Sequence, residues 1–523
     1  FSNSENFLDP NSMKNDPILS NTNLSAGTLA TGSGDSFVLD WQASLAYNRF
    51  IGKHNINTSV GMNIMESKEK SLSANYKGFP SGSLHSPNYA EEIVSKPTQS
   101  EEHSRLMGLI GLVNYSYDNI YLFDASIRMD GSSKFGTDRK YAPFWSFGTG
   151  VNLHNYKFFT NMDVFDLLKL RASYGQIGKV NFASYDAKTT YRILSDQWYK
   201  TGYGAVLYAL GNKGLTWETT NTLDVGMEVS LFKRLLYLRG SYYIKRTVDC
   251  INSVTIPSHS GFTTYMDNIG EIENKGFELD VRVNFIRTKD WNLTLLANLA
   301  HNRNKIVKIA ESLKAYNTQV ASKSYKKYSE GVSQNAIWAM KSLGIDPATG
   351  EELFQNPDGT VTKYWNSANQ VVVGNEEPTA QGTFGLNLTW KRFSLYTTFM
   401  YEFGGQRYNR TLADKIEGVD IANDNADRRV LTERWKEPGD LASFKRIQVS
   451  NRETVEVTKP TSRFVQDYNW VSLNSIALEY DVNPTLIKHI GLSMLRFGVG
   501  ANELARWSSV ELERGLSYPY SRT

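Results

Sequence analysis

The segment GLNLTWKRFSLYTTFMYEF, residues 385–403, consists of two alternating runs on either side of the dipeptide Lys391-Arg392. In the first run, apolar residues such as Leu386 and Trp390 alternate with small or polar residues. In the second run, an aromatic-rich apolar set again occupies every second position. Alternation with period two indicates strands that have one apolar face, and a short turn between two such runs predicts a β-hairpin.

The same pattern recurs along the chain and predicts fourteen long strands. Hairpins are predicted at 37–64, 106–129, 222–245, 276–302 and 385–403, and further strand pairs at 144–153 with 167–176 and at 470–480 with 492–502. Strands in globular proteins usually have only about five or six residues. Runs of roughly 10–14 residues fit instead the ~9–11 residues that a tilted strand needs to cross a bilayer.

The predicted connections are of two kinds. Those within hairpins are short and polar or basic, whereas most of those between hairpins are long. The long connections are 67–104, 177–218, 246–275, 303–380 and 404–466. Short turns at one end and long loops at the other are typical of an outer-membrane barrel, in which the long loops are extracellular.

The two faces of each strand differ in chemistry, as the run at 276–286 shows. Its apolar set is Phe277, Leu279, Val281 and Val283, and its polar set is Glu278, Asp280 and Arg282. In a membrane barrel the first set faces lipid and the second a wet lumen. A string of soluble β-sandwiches also has alternating strands, because one face of each sheet is core and the other is solvated.

Composition excludes several classes of protein. A single cysteine, Cys250, allows neither a disulfide framework nor a multi-cysteine zinc site. The net charge of +3 does not indicate nucleic-acid binding, and no apolar stretch reaches the 18 residues of a transmembrane helix. The motif GDSF at 34–37 is better explained as a turn before a strand than as an esterase nucleophile. We therefore predict no enzyme activity, no cofactor and no metal site, although the acidic loop 420–429 leaves Ca²⁺ binding open.

Aromatic residues in the long connections are the candidate ligand-binding residues. They are Trp198, Tyr199, Tyr203, Trp217, Trp338 and Trp365. Aromatic faces stack on sugar rings and on apolar side chains, and loops on a rigid scaffold commonly carry recognition. The alternative is that these rings only pack the loops against one another.

Seven segments resemble, in the same order, sequence blocks of SusC/RagA-type TonB-dependent outer-membrane transporters. The most specific is YLFDASIRMDGSSKFGTDRKYAPFWSFGTGVNL at 121–153. The others are at 165–182, 214–232, 270–281, 344–359, 462–482 and 495–504. The similarity covers nearly the whole chain from about residue 36. The chain departs from the family where APFWS replaces FPS and where NELARWSS replaces the usual aromatic-rich run.

The resemblance implies an all-β fold, a transmembrane antiparallel β-barrel with 22 strands. Fourteen strands and a strand stub at 517–523 leave seven strands upstream. Because seven is odd, residues 1–35 are expected to be the remnant of an outer loop and residues 36–523 the C-terminal portion of the barrel. The plug and the first strands are expected in an upstream segment, without which this chain is not expected to close a barrel.

The resemblance also implies a function. Such transporters import large nutrients, most often oligosaccharides and sometimes peptides, across the outer membrane of Gram-negative bacteria of the Bacteroidetes type. The TonB complex supplies energy through the missing N-terminal part, a SusD-like surface lipoprotein forms a lid, and membrane lipid surrounds the wall. Two other functions stay open at this point: a passive outer-membrane porin and a soluble β-sandwich adhesin.

Overall fold

A computed structural model describes residues 2–9, 27–135, 140–180, 182–255, 262, 264–268, 270–309, 327–419, 427–447 and 458–510. Strands dominate these residues, and the helices are single turns. No helix in the described ranges is long and apolar enough to cross a membrane.

The strands are numbered along the chain. They are β1 (Ser2–Leu8), β2 (Thr28–Ile51), β3 (His54–Lys77), β4 (Glu92–Ile93), β5 (Thr98–Tyr117), β6 (Tyr121–Ser132), β7 (Tyr141–Asn152), β8 (Phe165–Lys179), β9 (Thr190–Tyr199), β10 (Gly202–Ala209), β11 (Glu218–Leu231), β12 (Leu236–Val248), β13 (Ile251–Thr255), β14 (Thr264–Asn268), β15 (Gly270–Arg287), β16 (Trp291–Ile309), β17 (Ala336–Ala339), β18 (Lys341–Ile345), β19 (Glu352–Gln355), β20 (Val361–Thr362), β21 (Val371–Asn375), β22 (Ala380–Trp390), β23 (Phe393–Tyr408), β24 (Val465–Asp481) and β25 (Arg496–Ser508).

Short helical turns lie in the connections. The α-helical turns are α1 (Lys157–Thr160), α2 (Arg429–Thr432) and α3 (Pro484–Ile487), a π-helical turn spans Leu412–Glu417, and 3₁₀ turns span Pro87–Tyr89, Leu153–Asn155, Ser367–Asn369, Ser462–Phe464 and Lys488–Ile490.

One large antiparallel sheet forms the wall. Its order is β1-β2-β3-β5-β6-β7-β8-β11-β12-β15-β16-β22-β23-β24-β25, with β4 added beside β3. Each wall strand therefore pairs with the wall strands that precede and follow it in sequence, as in an up-and-down barrel. The fourteen long strands correspond to the fourteen predicted runs, so the all-β antiparallel architecture is confirmed.

The two ends of the wall differ as predicted. At the inner end the connections are 52–53, 118–120, 153–164, 232–235, 288–290, 391–392 and 482–495. At the outer end the connections carry the small hairpins β9–β10 and β13–β14, the three-stranded sheet β18-β19-β20 and the pair β17–β21. The outer end therefore carries most of the chain that lies outside the wall.

The register places apolar residues opposite apolar residues and polar residues opposite polar residues in neighbouring strands. Leu279 lies opposite Leu299 of β16, and Val281 lies opposite Leu238 of β12. On the other face, Asp280 lies opposite Arg239. Continuous apolar rows on one side and polar rows on the other are what a wall between lipid and a wet lumen requires.

Several strands are longer than predicted, and strand structure begins before residue 36. β2 and β3 each have 24 residues, and β2 begins at Thr28. The segment predicted as a loop remnant thus contains β1 and the first residues of β2. Beyond the apolar rows the ladder continues with polar pairs, such as Ser71 Oγ with Ser100 Oγ at 2.7 Å. The prediction ended these strands where apolar alternation stopped, but backbone pairing does not need apolar side chains.

In the described part of the chain, no ladder joins β25 to β1 or β2. Residues 511–523, which include the predicted strand stub at 517–523, lie outside the described residues.

Candidate functional site: the outer loops

A buried aromatic group, the Trp217 cluster, holds the outer connections that follow β6, β8 and β12. It consists of Phe135, Phe144, Phe182, Ala187, Leu215, Trp217 and Ile251. The ring centroids of Trp217 and Phe135 are 4.7 Å apart in a stacked arrangement, and Trp217 is only 6% exposed. Trp217 was predicted as a ligand-binding residue, but the structure places it inside this core, where it packs loops together.

Hydrogen bonds reinforce the Trp217 cluster. The side-chain amide of Asn212 donates to the carbonyl of Met266 at 3.0 Å, and the amide N–H of Thr216 donates to Asn268 Oδ1 at 3.1 Å. Ser184 donates through its N–H and its hydroxyl to Glu102 on β5, at 3.2 and 2.6 Å. The loops are therefore fixed both to each other and to the outer part of the wall.

The hairpin β9–β10 carries three of the predicted residues. Trp198 and Tyr203 are paired across the hairpin, and Tyr199 pairs with Gly202 next to them. The side chains of Tyr199 and Tyr203 are 57% and 56% exposed. The backbone of Trp198 is described, but its side chain is not. The structure thus brings these three positions together at one hairpin tip.

Trp338 and Trp365 lie in the connection between β16 and β22. Trp338 is half-buried in β17, opposite Val372 of β21. The indole N–H of Trp365 donates to the carbonyl of Pro460 at 3.0 Å, and Lys459 Nζ lies 5.8 Å from the ring centre. Trp365 therefore helps to join this connection to the one that follows β23, with part of its ring still accessible.

A buried ionic group, the Glu417 cluster, joins the same two connections. It consists of Glu352, Glu417, Lys445 and Arg463. Arg463 donates to both oxygens of Glu352, at 3.3 and 3.0 Å, and to Glu417 Oε2 at 2.6 Å. Lys445 Nζ lies 3.5 Å from the other oxygen of Glu417. Burial disfavours the charge on Arg463, but the carboxylates of Glu417 and Glu352 outweigh burial and raise the pKa of Arg463.

Arg434 adds a second layer of backbone hydrogen bonds. Its guanidinium donates to the carbonyls of Ile416, Glu417, Lys445 and Arg446, at 3.1, 2.9, 2.8 and 3.0 Å. An arginine is suited to this role because its planar fork presents several donors in fixed geometry. Arg434 thereby joins the π-helical turn to the segment that follows α2.

Glu377 fastens the connection before β22 to the lumen face of the wall. Its carboxylate accepts a hydrogen bond from the N–H of Asn304 at 2.8 Å and another from the side-chain amide of Asn302. Asn274 on β15 in turn accepts from Asn302 at 3.1 Å and from Asn304 at 3.0 Å. The amide network therefore holds the end of a long outer loop against the inside of the barrel.

Cationic and aromatic side chains alternate on the lumen face of β23–β25. The Arg506 guanidinium lies 4.0 Å from the centre of the Trp470 ring and donates to Tyr468 Oη at 2.6 Å. The Arg407 guanidinium lies 4.3 Å from the Tyr468 ring. Such cation–π stacking rigidifies the wall where it meets the outer loops.

A cavity of about 390 Å³ opens where β11, β12, β15 and β16 meet the outer loops. Its lining includes Lys179, Glu218, Cys250, Glu271 and Lys308. Burial raises the pKa of the Cys250 thiol to about 12, which disfavours the reactive thiolate.

The potential metal ligands in the described part of the chain are scattered. No group of three or more His, Cys, Asp or Glu side chains there is arranged to hold a metal ion. Most of the acidic loop at 420–429 lies outside the described residues. At its end, hydrogen bonds from Arg429 to Asp427 lower the pKa of that carboxyl.

No local sequence pattern indicates the Glu417 cluster. Its members come from four separate segments, and each charge, taken alone, looks like a solvated loop residue. The aromatic residues were recognisable by type, but their exposure was not. The ionic residues that fix the loops were therefore missed.

Comparison with known proteins identifies the family. Residues 2–411 match the family described as TonB dependent receptor-like, beta-barrel. TonB-dependent receptor P3 of Formosa agariphila is 28% identical over 486 residues, which cover 88% of this chain and 47% of that protein. TonB-dependent receptor SusC of Bacteroides thetaiotaomicron is 31% identical over 210 residues, 39% of this chain and 21% of that protein.

A solved structure of the RagAB peptide transporter has the same fold. It aligns with a TM-score of 0.83 at 22% identity, over 97% of this chain and 55% of that chain. The chain spans about half the length of relatives such as receptor P3, of which it covers 47%. The family match, the sequential antiparallel wall and its apolar outer rows lead to one assignment: the chain belongs to the TonB dependent receptor-like β-barrel family.

Proposed function

We propose that this chain is the C-terminal portion of the wall of a SusC/RagA-type transporter that imports a large nutrient through the outer membrane. The family assignment supports this proposal, and so does the wall, whose apolar rows can face lipid while its polar rows face a lumen. In this proposal residues 36–523 belong to the barrel, and residues 1–35, which include β1 and the start of β2, belong to an outer loop that continues the sheet. An upstream segment supplies the plug, the remaining strands and the contact with the TonB complex.

The outer loops are the proposed recognition surface. Their described parts are held together, because the Trp217 cluster and the Glu417 cluster each join separate connections. Side chains that are held in place lose less conformational freedom on binding, which favours affinity. The exposed rings of Tyr199 and Tyr203, with Trp198 beside them and the accessible parts of Trp338 and Trp365, are the proposed ligand contacts.

An oligosaccharide is the proposed ligand class, and a peptide is the second candidate. Flat, exposed aromatic rings such as Tyr199 and Tyr203 stack on the apolar faces of sugar rings as well as on peptide side chains. The similarity to SusC supports the first class, and the fold shared with the RagAB peptide transporter supports keeping the second.

A SusD-like lipoprotein lid is the proposed partner at the outer face. Large apolar side chains are exposed on the outer connections, including Tyr364 after β20 and Leu441 after α2. Exposed apolar groups on an otherwise polar surface often mark protein interaction sites. The lid would cover this surface and enclose the ligand between lid and barrel.

Ligand affinity of the complete transporter, purified with its lipoprotein, tests recognition. Titration against a panel of oligosaccharides and oligopeptides should give binding for one class only. The double variant Tyr199→Ala/Tyr203→Ala should weaken that binding while leaving the lid bound. Equal affinity of this variant and the wild-type protein would contradict the proposed contacts.

Uptake by cells tests the transport mechanism. Import should stop when the TonB complex is inactivated, whereas a passive porin would continue to admit the ligand. A soluble β-sandwich adhesin would be recovered in the aqueous phase without detergent, and recovery there would contradict the membrane assignment.

A further inference from the structure

Basic residues concentrate in the inner connections of the wall between β11 and β25. They are Lys233, Arg234, Lys289, Lys391, Arg392 and Lys488. The acidic residues beside them are Asp166, Asp290 and Asp481. Asp481 already forms an ion pair with Arg496 at 2.7 Å. In the described part of the chain, none of the six basic residues has a carboxylate within ion-pair distance, so this rim carries a net positive charge.

The backbone of this rim is built in an unusual way. Phe232, Lys233 and Arg234 have φ of 55°, 58° and 64°, and Lys391 has φ of 54°. The left-handed region is unfavourable for such side chains, and hairpin turns normally place Gly, Asn or Asp there. The chain instead places three basic residues in it. Basic side chains kept at a conformational cost are a reason to look for a function.

Hydrogen bonds between neighbouring connections hold the basic residues in one row. The N–H of Arg234 donates to Asp166 Oδ2 at 2.7 Å, and the N–H of Lys391 donates to the carbonyl of Asp290 at 2.7 Å. The N–H of Asp481 donates to the carbonyl of Arg392 at 2.9 Å. The turns are therefore fixed to the next element along the rim, which places the basic residues side by side at one end of the wall.

An aromatic stack lies next to this row, on the lipid face at the inner ends of β16, β22, β23 and β24. The Trp291 and Trp390 rings are 5.5 Å apart, Trp390 and Phe393 are 5.9 Å apart, and Phe393 and Tyr480 are 4.7 Å apart. Lys391 Nζ lies 5.8 Å from the centre of the Trp390 ring. Trp and Tyr residues prefer the level of the lipid headgroups, so the basic row lies at or just below that level.

The connection 482–495 extends this surface beside β25. Asn483 caps α3 by accepting the N–H of Thr485 at 3.1 Å, and Ile487 is buried, so the segment has a defined conformation. Leu486, Ile490 and Met494 are exposed. An apolar helical turn next to Lys488 has the composition of an interfacial membrane anchor.

We propose that the rim formed by residues 232–235, 288–290, 391–392 and 482–495 binds the phosphate-bearing headgroups of anionic phospholipids in the inner leaflet. The guanidinium and ammonium groups bind phosphate oxygens, and the acyl chains lie against the aromatic stack and the exposed side chains of 482–495. This inference rests on the membrane-barrel fold and its orientation, and it does not depend on which nutrient is imported.

Titration of the complete transporter with phosphatidylglycerol in neutral detergent, read by native mass spectrometry, tests the proposal. The variant Lys233→Asn/Arg234→Gly and the variant Lys391→Gly/Arg392→Ser remove two charges each. Both introduce residues that suit the turn geometry, so the fold should be kept. Each basic residue near an anionic headgroup is expected to contribute about fivefold in affinity. Each variant should therefore bind phosphatidylglycerol roughly 25-fold more weakly and bind phosphatidylcholine as before.

The matched control is Lys213→Asn/Lys341→Asn, which removes two charges from outer connections and should leave phosphatidylglycerol affinity unchanged. Glycerol phosphate in solution should not displace the lipid, because it lacks the acyl chains. Unchanged lipid affinity in both rim variants, an equal loss in the control, or full displacement by glycerol phosphate would overturn the proposal. Retention of a periplasmic protein, instead of lipid, by the wild-type rim would also overturn it.

Discussion

The guanidinium of Arg463 joins Glu352, 111 residues earlier in the chain, to Glu417, 46 residues earlier. The two carboxylates are almost fully buried, and the Arg463 side chain is 13% exposed. Breaking a buried ion pair by removing one partner leaves an uncompensated charge and costs about 3–5 kcal/mol. Arg463 therefore contributes a buried ionic link between the connections after β16 and β23, beside the hydrogen bond from Trp365 to Pro460.

We predict that Arg463→Met loosens the outer loops without unfolding the wall. Glu352 and Glu417 would lose their shared partner, and local opening should become easier by about 3–5 kcal/mol. Hydrogen exchange in residues 341–355 and 409–419 should accelerate strongly, while exchange in β15 and β16 should not change.

Arg496→Met is the matched control. Arg496 also bridges two acidic groups, Glu479 at 3.0 Å and Asp481 at 2.7 Å, but its side chain is 46% exposed. Solvent-exposed ion pairs contribute only about 0–1 kcal/mol. Similar effects of both substitutions on exchange in the outer loops would refute the role assigned to Arg463.

The two faces of β15 should tolerate substitution differently. Val281→Arg places a charge in the lipid-facing row near the midplane and should destabilise the barrel by about 2–4 kcal/mol. Asp280→Asn, one position away on the lumen face, should cost much less. Urea unfolding of the transporter in lipid vesicles would measure both, and equal costs would contradict the assignment of the faces.

The sequence predicted the wall better than the loops, and the reason is physical. Every second residue of a wall strand meets the same environment, so alternation such as that from Phe277 to Val283 reports the fold locally. The outer parts of β2 and β3 were missed because both of their faces meet water and no apolar alternation is required there.

The outer loops depend on contacts between residues that are distant in sequence. Trp217 and Trp365 look alike in sequence, yet Trp217 is enclosed by Phe135 and Phe144 while Trp365 donates to Pro460. Nothing local to either residue distinguishes these surroundings. Whether such a ring can contact ligand or only packs the loops depends on its solvent exposure. That exposure is determined by the folded loops and not by the neighbouring sequence.

The thiol of Cys250 should resist alkylation in the folded protein. With a pKa of about 12, roughly one thiol in 10,000 is ionised at pH 8, and the thiolate is the reactive form. Iodoacetamide at pH 8 should modify Cys250 only after denaturation, as mass spectrometry of the peptide would report. Rapid modification of the native protein would indicate that the loop after β12 opens readily.

Substitutions of Trp217 and Tyr199 should distinguish a residue that packs the loops from a residue that contacts ligand. Trp217→Ala removes a buried ring from the centre of the Trp217 cluster and should destabilise these loops by about 3–5 kcal/mol. Hydrogen exchange in residues 182–187 and 212–217 would report the loss. Tyr199→Ala removes an exposed ring, so exchange in the same residues should not change.

Ligand binding should depend on Tyr199 and not on Trp217, provided that the variants compared keep the loops folded. Tyr199→Ala should weaken binding by about 1–3 kcal/mol, the range found for aromatic side chains that stack on nucleic-acid bases. Trp217→Phe keeps an aromatic ring against Phe135 and should bind ligand with nearly unchanged affinity, because the ring at 217 is enclosed by protein. Titration calorimetry on the complete transporter would compare the two. A large loss of affinity in Trp217→Phe with normal binding by Tyr199→Ala would mean that ligand enters the Trp217 cluster and that the hairpin β9–β10 does not recognise it.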